Sequence, residues 1–344
     1  MSIYFTKPLR LDGVRTYPLA KRKSKVTVRE FAKTPRVARS GKVEEWKSGK
    51  GKQVNRRDAG AAVAQLMDSL PRILAGNDLR AVIAALEVAR RGKRPILWGI
   101  GGHVIKVGLA PVLIDLMRRG YVSGMAMNGA ALVHDFEIAM AGNTSEDVEA
   151  VLGRGEFGMA EETGLYLNEA AVGAARSGIG LGEAAGKLVT NARLKAKHLG
   201  MSVLAAAYRA KIPVTVHLAI GTDIPHMHRA ADGAALGAAT HHDFRLFCAL
   251  VKQMHPGGVY LNWGSAVLLP EVFLKAVSVA QNLLGKSVRV GLRGITTANF
   301  DFLQHYRPTQ NVVKRPATGK GSHGYSITGH HEIMLPLLAT ALRR

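Results

Sequence analysis

Residues 94–135 constrain the fold more than any other stretch of the chain. Residues 95–98 are a short apolar run of the kind that forms a strand buried on both faces. A glycine turn ends at Gly102, and apolar residues then recur at helical spacing as far as Met117. A second apolar run, 121–127, ends at the small-residue turn that begins with Asn128. The pattern predicts a strand–helix–strand unit of a parallel sheet.

Strand and helix patterns alternate from residue 94 to the C-terminus. Further strands are predicted over 212–218, 257–261 and 287–292, with a basic loop over 305–324. Each predicted strand leads into a turn of small or polar residues, and such turns at one sheet edge form a ligand crevice. The predicted fold class is α/β, a Rossmann-like parallel sheet with helices on both faces.

The N-terminal segment, residues 1–58, is strongly basic. It holds seventeen Lys and Arg residues against five Asp and Glu, in a chain whose net charge is +22. Its aromatic residues are scattered instead of spaced for base stacking, so we do not expect nucleic acid as its partner. The segment is predicted to be a basic arm, either solvated or draped over a neighbouring subunit. Residues 59–344 are predicted to form a single α/β catalytic domain.

Cysteine content and hydropathy bear on location. The single cysteine, Cys248, excludes an intramolecular disulfide and is read as a core residue. No apolar run approaches the roughly 18 residues of a membrane span. We therefore expect a cytoplasmic protein with no membrane partner.

Several motifs resemble the deoxyhypusine synthase family in sequence and order. They are GGHVIKVGLAPVLIDLM, MNGAALVHD, IPVTVHLAIGTD and ITTANFD. The resemblance implies a Rossmann-like NAD-binding fold and a homotetramer with active sites between subunits. It also implies NAD-dependent amine oxidation, followed by transfer of an alkylamine group through an imine on a lysine.

The resemblance, together with the chemistry of the side chains, gives a set of candidate site residues. The cofactor-binding candidates are Gly102, His103, Lys106, Asn128, Gly129, Asp223, Thr297, His330 and His331, with Gly221 as the rival of Asp223. The catalytic candidates are Lys320, His228 and Asp301, with Tyr325 as the rival of Lys320. The substrate-binding candidates are His134, Glu161 and Trp263.

The chain departs from the family at the positions that handle the polyamine. The family's acidic Glu-Glu-Asp motif reads Val133-His134-Asp135 here, and its Lys-His-His motif reads Leu269-Pro270-Glu271. These changes remove negative charge from the predicted pocket. We therefore expect a small substrate other than spermidine, either an amine or an anion.

Two other function classes remain open at this point. His226, His228 and His330 could form the site of a metal-dependent hydrolase, because imidazoles at short spacing can bind one metal ion. The basic arm could instead serve a non-catalytic binding protein. The site set itself includes no metal ligand.

Overall fold

A computed structural model describes residues 15–32, 65–284 and 291–342 of the chain. Its strands, in chain order, are β1 (Ser24–Thr27), β2 (Ile96–Ile100), β3 (Gly124–Asn128), β4 (Asn143–Glu146), β5 (Val214–His217), β6 (Val259–Trp263), β7 (Thr296–Asp301) and β8 (His323–Thr328). Six of these strands form one sheet in the order β5-β3-β2-β6-β7-β8, and every neighbouring pair is parallel. The α/β fold class with a parallel sheet is thereby confirmed.

Helices cover both faces of this sheet. They are α1 (Leu74–Arg91), α2 (Gly102–Lys106), α3 (Ala110–Arg118), α4 (Gly129–Ala141), α5 (Val148–Leu152), α6 (Glu161–Ser177), α7 (Leu181–Val189), α8 (Val203–Arg209), α9 (Gly233–Gln253), α10 (Leu268–Leu284) and α11 (His331–Ala341). Between β7 and β8, a short helix at Tyr306–Pro308 continues as a π-helix over Thr309–Lys314.

Alternation along the strands divides the apolar core into two clusters. Trp98 on β2 and Trp263 on β6 belong to the larger cluster, which includes residues of α1, α3, α4 and α11. Leu97 and Tyr260 point to the other face and pack with Phe273 of α10. Because successive side chains of a strand point to opposite faces, an uninterrupted apolar run is buried on both sides.

The described part of the N-terminal segment packs against the domain instead of being solvated. Strand β1 pairs antiparallel with β4, with Val26 opposite Thr144. Arg22 is 8% exposed, and its guanidinium contacts the Glu137 carboxylate of α4. Neither strand of this small sheet is apolar, so its pairing leaves little signal in the sequence. The 1–58 and 59–344 domain division stays a prediction.

The end of the sheet also differs from the prediction. The expected strand over 287–292 lies partly outside the described residues, and the observed strand is Thr296–Asp301. Its side chains alternate between apolar residues, such as Phe300, and buried polar residues, such as Asn299. Because residues 287–292 are more apolar than such a strand, the sequence pattern favours them instead. The predicted loop over 305–324 instead contains the π-helix and the start of β8.

Two further features can be read from the described residues. Cys248 is buried in the smaller core cluster, as expected. No helix in the described part of the chain is long and apolar enough to cross a membrane.

Candidate functional site

The order of the strands marks one edge of the sheet. Counted along the chain within the large sheet, the strands run 3-2-1-4-5-6. This is the order of the doubly wound dinucleotide-binding fold. Strands β2 and β6 are neighbours at the point where the order reverses, and ligands of such sheets bind beyond the carboxyl ends of these strands. We call this place the switch point.

Glycines let three turns approach one another at the switch point. The N–H of Gly101 donates to the carbonyl of Trp263 at 2.8 Å. A side chain at Gly101 would overlap the backbone of Gly264. A Cβ at Gly102 would lie 2.8 Å from the Cβ of Ala130 and 3.1 Å from Cδ2 of His134. The turn after β2 therefore packs directly against the turn after β3.

Aromatic and imidazole rings gather beside these turns. The His103 and His331 ring centroids are 5.4 Å apart, and those of Trp263 and His331 are 6.1 Å apart. Phe302 stacks on His330 at 5.8 Å. The carboxylate of Asp301 lies 3.9 Å from Nε2 of His331. The switch point thus brings together five predicted site residues, Trp263, Asp301, His103, His330 and His331.

The polar atoms of this cluster permit a test of fit to a dinucleotide. Trp263 Nε1 and His331 Nδ1 are buried and have no hydrogen-bond partner. Buried polar atoms are normally paired, and a bound ligand or water is one way in which such unpaired atoms become satisfied. Burial lowers the pKa of His103; its interactions with His331 and Lys106 lower it further, whereas Glu332 and Asp301 raise it. Lys106 therefore places a positive charge near His103, which suits a diphosphate. The residues at the switch point therefore fit a dinucleotide.

A cavity of about 170 Å³ lies next to the switch point. Its ionisable lining residues are Arg22, His134, Glu137, Glu146 and Asp223. Ala130 also lines it, and Ala130 touches the position where Gly102 would carry a side chain. A molecule in the cavity would therefore lie beside the turn that follows β2. We call this cavity the acidic cavity, because three carboxylates face one guanidinium there.

A chain of hydrogen bonds runs along one wall of the acidic cavity. The guanidinium of Arg22 donates to both oxygens of Glu137, at 2.5 and 2.7 Å. The hydroxyl of Thr144 donates to Glu137 at 2.5 Å and lies 2.8 Å from Nδ1 of His134. Burial lowers the pKa of His134 to about 4, so its imidazole is neutral at pH 7.

Asp223 also lines the acidic cavity, where it faces the start of α4. A side chain at Gly129 would overlap the Asp223 carboxylate, so the glycine leaves that space to the acid. Burial raises the pKa of Asp223 to about 6. Asn128 is used structurally, because its side chain accepts the N–H of Ala131 at 2.9 Å and caps α4. The charge in the cavity favours a cation over the anion that the sequence left open.

Two other predicted site residues form a separate cluster. Nε2 of the buried His228 lies 3.5 Å from the carboxylate of Glu161, which also contacts Thr16 and Arg229. Gly164 leaves room for the His228 ring. Neither His228 nor Glu161 lines the acidic cavity. Their catalytic and substrate-binding roles stay predictions.

The structure does not bring Lys320 or Thr297 to the switch point. The carbonyl of Lys320 accepts the N–H of Gly294, just before β7, and Lys320 itself precedes β8. Because the strands are parallel, this is the opposite edge of the sheet from the switch point. Thr297 lies near the start of β7, and its buried hydroxyl has no hydrogen-bond partner.

The histidines proposed for a metal site occupy different places. His226 Nδ1 accepts the N–H of Gly221, His228 contacts Glu161, and His330 packs on Phe302. Over residues 15–32, 65–284 and 291–342, no group of three His, Cys, Asp or Glu side chains could hold a metal ion. The hydrolase alternative therefore gains no structural support.

Three residues that form the hydrogen-bond chain with His134 were missed by the sequence analysis. Glu137 lies three residues after His134 on α4, and that helical spacing was an available signal. Arg22 is one of many cations in a basic run, and Thr144 is a single hydroxyl residue. Their contacts with Glu137 span 115 and 7 residues of sequence, respectively. No local pattern identifies such partners.

Comparisons with known proteins are confined to solved structures, since no protein family and no curated protein matches the sequence. ArgZ, an arginine dihydrolase from cyanobacteria, is 18% identical, with 77% of this chain and 32% of that chain covered and a TM-score of 0.44. AgrE, solved with ornithine and NAD⁺, is 15% identical, with 88% and 39% covered and a TM-score of 0.47.

A putative deoxyhypusine synthase from Entamoeba histolytica is 11% identical, with 81% of this chain and 91% of that chain covered and a TM-score of 0.45. The chain spans about a third of the length of ArgZ and of unliganded AgrE. Membership of the deoxyhypusine synthase family stays a prediction, and the fold assignment rests on the strand order.

Proposed function

We propose that the protein binds NAD at the switch point and oxidises a small, positively charged amine-bearing substrate in the acidic cavity. The observation that carries the proposal is the 3-2-1-4-5-6 strand order, with the acidic cavity beside its reversal point. Enzymes of this architecture place substrate and dinucleotide side by side at that edge, which suits transfer between the two.

The chain offers specific groups to a dinucleotide. The turn at Gly101 and Gly102 allows close backbone approach to a diphosphate. Lys106 supplies a positive charge close to His103 and His134. Trp263 Nε1 and His331 Nδ1 supply unpaired polar atoms. When bound, the nicotinamide accepts a hydride.

The acidic cavity supplies the substrate preference. Glu137 is already paired with Arg22, and Glu146 is hydrogen-bonded to Tyr17 and to the N–H of Gly158. Asp223 is the cavity carboxylate for which the described contacts include no side-chain hydrogen-bond donor, so an ammonium group would pair with it. Such a pair would lower the pKa of Asp223 and keep its carboxylate ionised at pH 7.

The proposed reaction is oxidation without transfer to Lys320. Oxidation removes a hydride from the substrate carbon and a proton from the neighbouring heteroatom, and it leaves a double bond between the two. A covalent imine formed within one chain would require Lys320 at the switch point, whereas it lies at the opposite edge. Homotetramer formation is not needed for this step and stays a prediction.

Calorimetric titration with NAD⁺ tests the proposal, with Lys106→Met and Lys320→Met as a matched pair. One site per chain is expected. Lys106→Met should weaken binding about tenfold, the effect of losing about 1.4 kcal/mol of charge attraction. Lys320→Met should bind as tightly as the wild type, because it removes the same charge from the opposite edge. Equal weakening by both variants would place the nucleotide elsewhere.

A further inference from the structure

The hydrogen bonds that link Arg22, Glu137, Thr144 and His134 determine which of these groups carry protons. Glu137 accepts two hydrogen bonds from Arg22, one from Thr144 and one from Thr163 at 3.1 Å. An ionised carboxylate only accepts, and this one has donors on both oxygens. Glu137 is therefore a carboxylate, and it holds the one hydroxyl proton of Thr144.

The direction of the next hydrogen bond follows. Thr144 has a single hydroxyl proton, which it donates to Glu137. Its oxygen can therefore only accept a hydrogen bond from His134. Nδ1 of His134 must then carry the proton of the 2.8 Å contact. In a neutral imidazole the second nitrogen is unprotonated, so Nε2 is left with a lone pair.

The position of Nε2 follows from the ring. Nε2 is bonded to Cδ2, and Cδ2 would lie 3.1 Å from a Cβ at Gly102. His134 also lines the acidic cavity, together with Asp223. The ring edge that carries Nε2 is thus beside the switch-point turn, on a residue that lines the space assigned to the substrate.

We propose that Nε2 of His134 accepts the proton of a substrate hydroxyl, and that the substrate is a short amino alcohol whose ammonium group pairs with Asp223. This inference rests on the proposed function. Thr144, Glu137 and Arg22 are positioning residues that fix the tautomer of His134. The ammonium end of the substrate then binds Asp223 and its hydroxyl end binds His134, within one cavity.

The step balances in atoms and electrons. The carbinol carbon would give up its C–H bond as a hydride, for which a bound nicotinamide would be the two-electron acceptor, and the O–H proton would pass to Nε2. The C–O bond would become a carbonyl, and His134 would become an imidazolium. The Glu137 carboxylate stabilises that positive charge through Thr144.

The surroundings of His134 favour a hydroxyl over an ammonium as the proton donor. Burial is the largest influence and lowers its pKa; Lys106 and His103 of α2 and Arg22 of the N-terminal segment lower it further, and only Glu137 raises it. So weak a base cannot deprotonate a stable ammonium group. It can take the proton of an alcohol as the hydride leaves, because the incipient protonated carbonyl is a strong acid.

Nitrogen-15 NMR of histidine-labelled protein tests the hydrogen-bond chain without any nucleotide. The His134 signals, assigned with His134→Gln, should report a proton on Nδ1 and none on Nε2 between pH 6 and pH 8. Thr144→Val should allow the other tautomer, whereas the matched variant Thr144→Ser should keep the wild-type pattern. A proton on Nε2 in the wild type would overturn the inference.

Kinetics test the substrate class. An aminobutanol should reduce NAD⁺, and His134→Gln should lower kcat by at least about 100-fold while NAD⁺ affinity is unchanged. A diaminobutane oxidised as fast as the aminobutanol would refute the hydroxyl assignment. If NAD⁺ does not bind at all, the proposed function and this substrate both fail, and the NMR result still decides the tautomer on its own.

Discussion

Arg22 offers the sharpest test of how the N-terminal segment joins the domain. Its side chain is 3% exposed and the side chain of Glu137 is 1% exposed, so the ion pair is out of water. Arg22→Met keeps the length of the side chain and removes its charge, which leaves a buried carboxylate without its cation. Removing one partner of a buried pair costs about 3–5 kcal/mol. That is a large share of the roughly 5–15 kcal/mol that stabilises a typical domain.

Urea denaturation measures this loss. With a slope of about 3 kcal/mol per M, the midpoint should fall by roughly 1 to 1.7 M. The double variant Arg22→Met/Glu137→Gln should lose less than Arg22→Met alone, because no unpaired charge remains buried. Arg154→Met, in the exposed pair with Glu156, should leave the midpoint unchanged. A midpoint for Arg22→Met equal to that of Arg154→Met would refute the buried pair.

Two further predictions concern stability. Burial raises the pKa of Asp223 to about 6. The contribution of Asp223 to the free energy of unfolding is therefore fully present below the unfolded-state pKa near 4, and it is lost as pH rises through 6. Between pH 4 and pH 7, the stability of Asp223→Asn should therefore increase relative to that of the wild type, by at most about 3 kcal/mol in urea titrations. A stability difference that does not depend on pH would contradict this. Tyr260 has a fully buried hydroxyl without a partner, so Tyr260→Phe should be neutral or stabilising, and a loss above about 1 kcal/mol would show that the hydroxyl is paired.

The sheet could be predicted because its inner strands carry local signals. Strand β2 is an uninterrupted apolar run that ends in glycines, and β3 repeats that pattern 28 residues later. A buried parallel strand needs apolar side chains on both faces, and its sharp turn needs small residues. The edge at which Gly102, His103 and Trp263 meet followed from the same reasoning.

The remainder of the site depends on contacts between distant residues. The pairing of Arg22 with Glu137, and of Asp223 with the space above Gly129, joins segments about a hundred residues apart. Strand β7 was displaced in the prediction because buried polar side chains, such as Asn299, satisfy one another through Asn262 and Gln304 instead of forming an apolar run. Lys320 was assigned to the site from the family resemblance. The edge of the sheet at which it lies is known only once the strands are assembled.

The account depends most on nucleotide binding at the switch point. The most direct measurement is the calorimetric titration of the wild-type chain with NAD⁺, beside Lys106→Met and Lys320→Met. Saturable binding at one site per chain, weakened by Lys106→Met and untouched by Lys320→Met, is the predicted result. Absence of binding by the folded wild-type protein would contradict the account, because the turns at Gly101 and Gly264 would then serve packing alone.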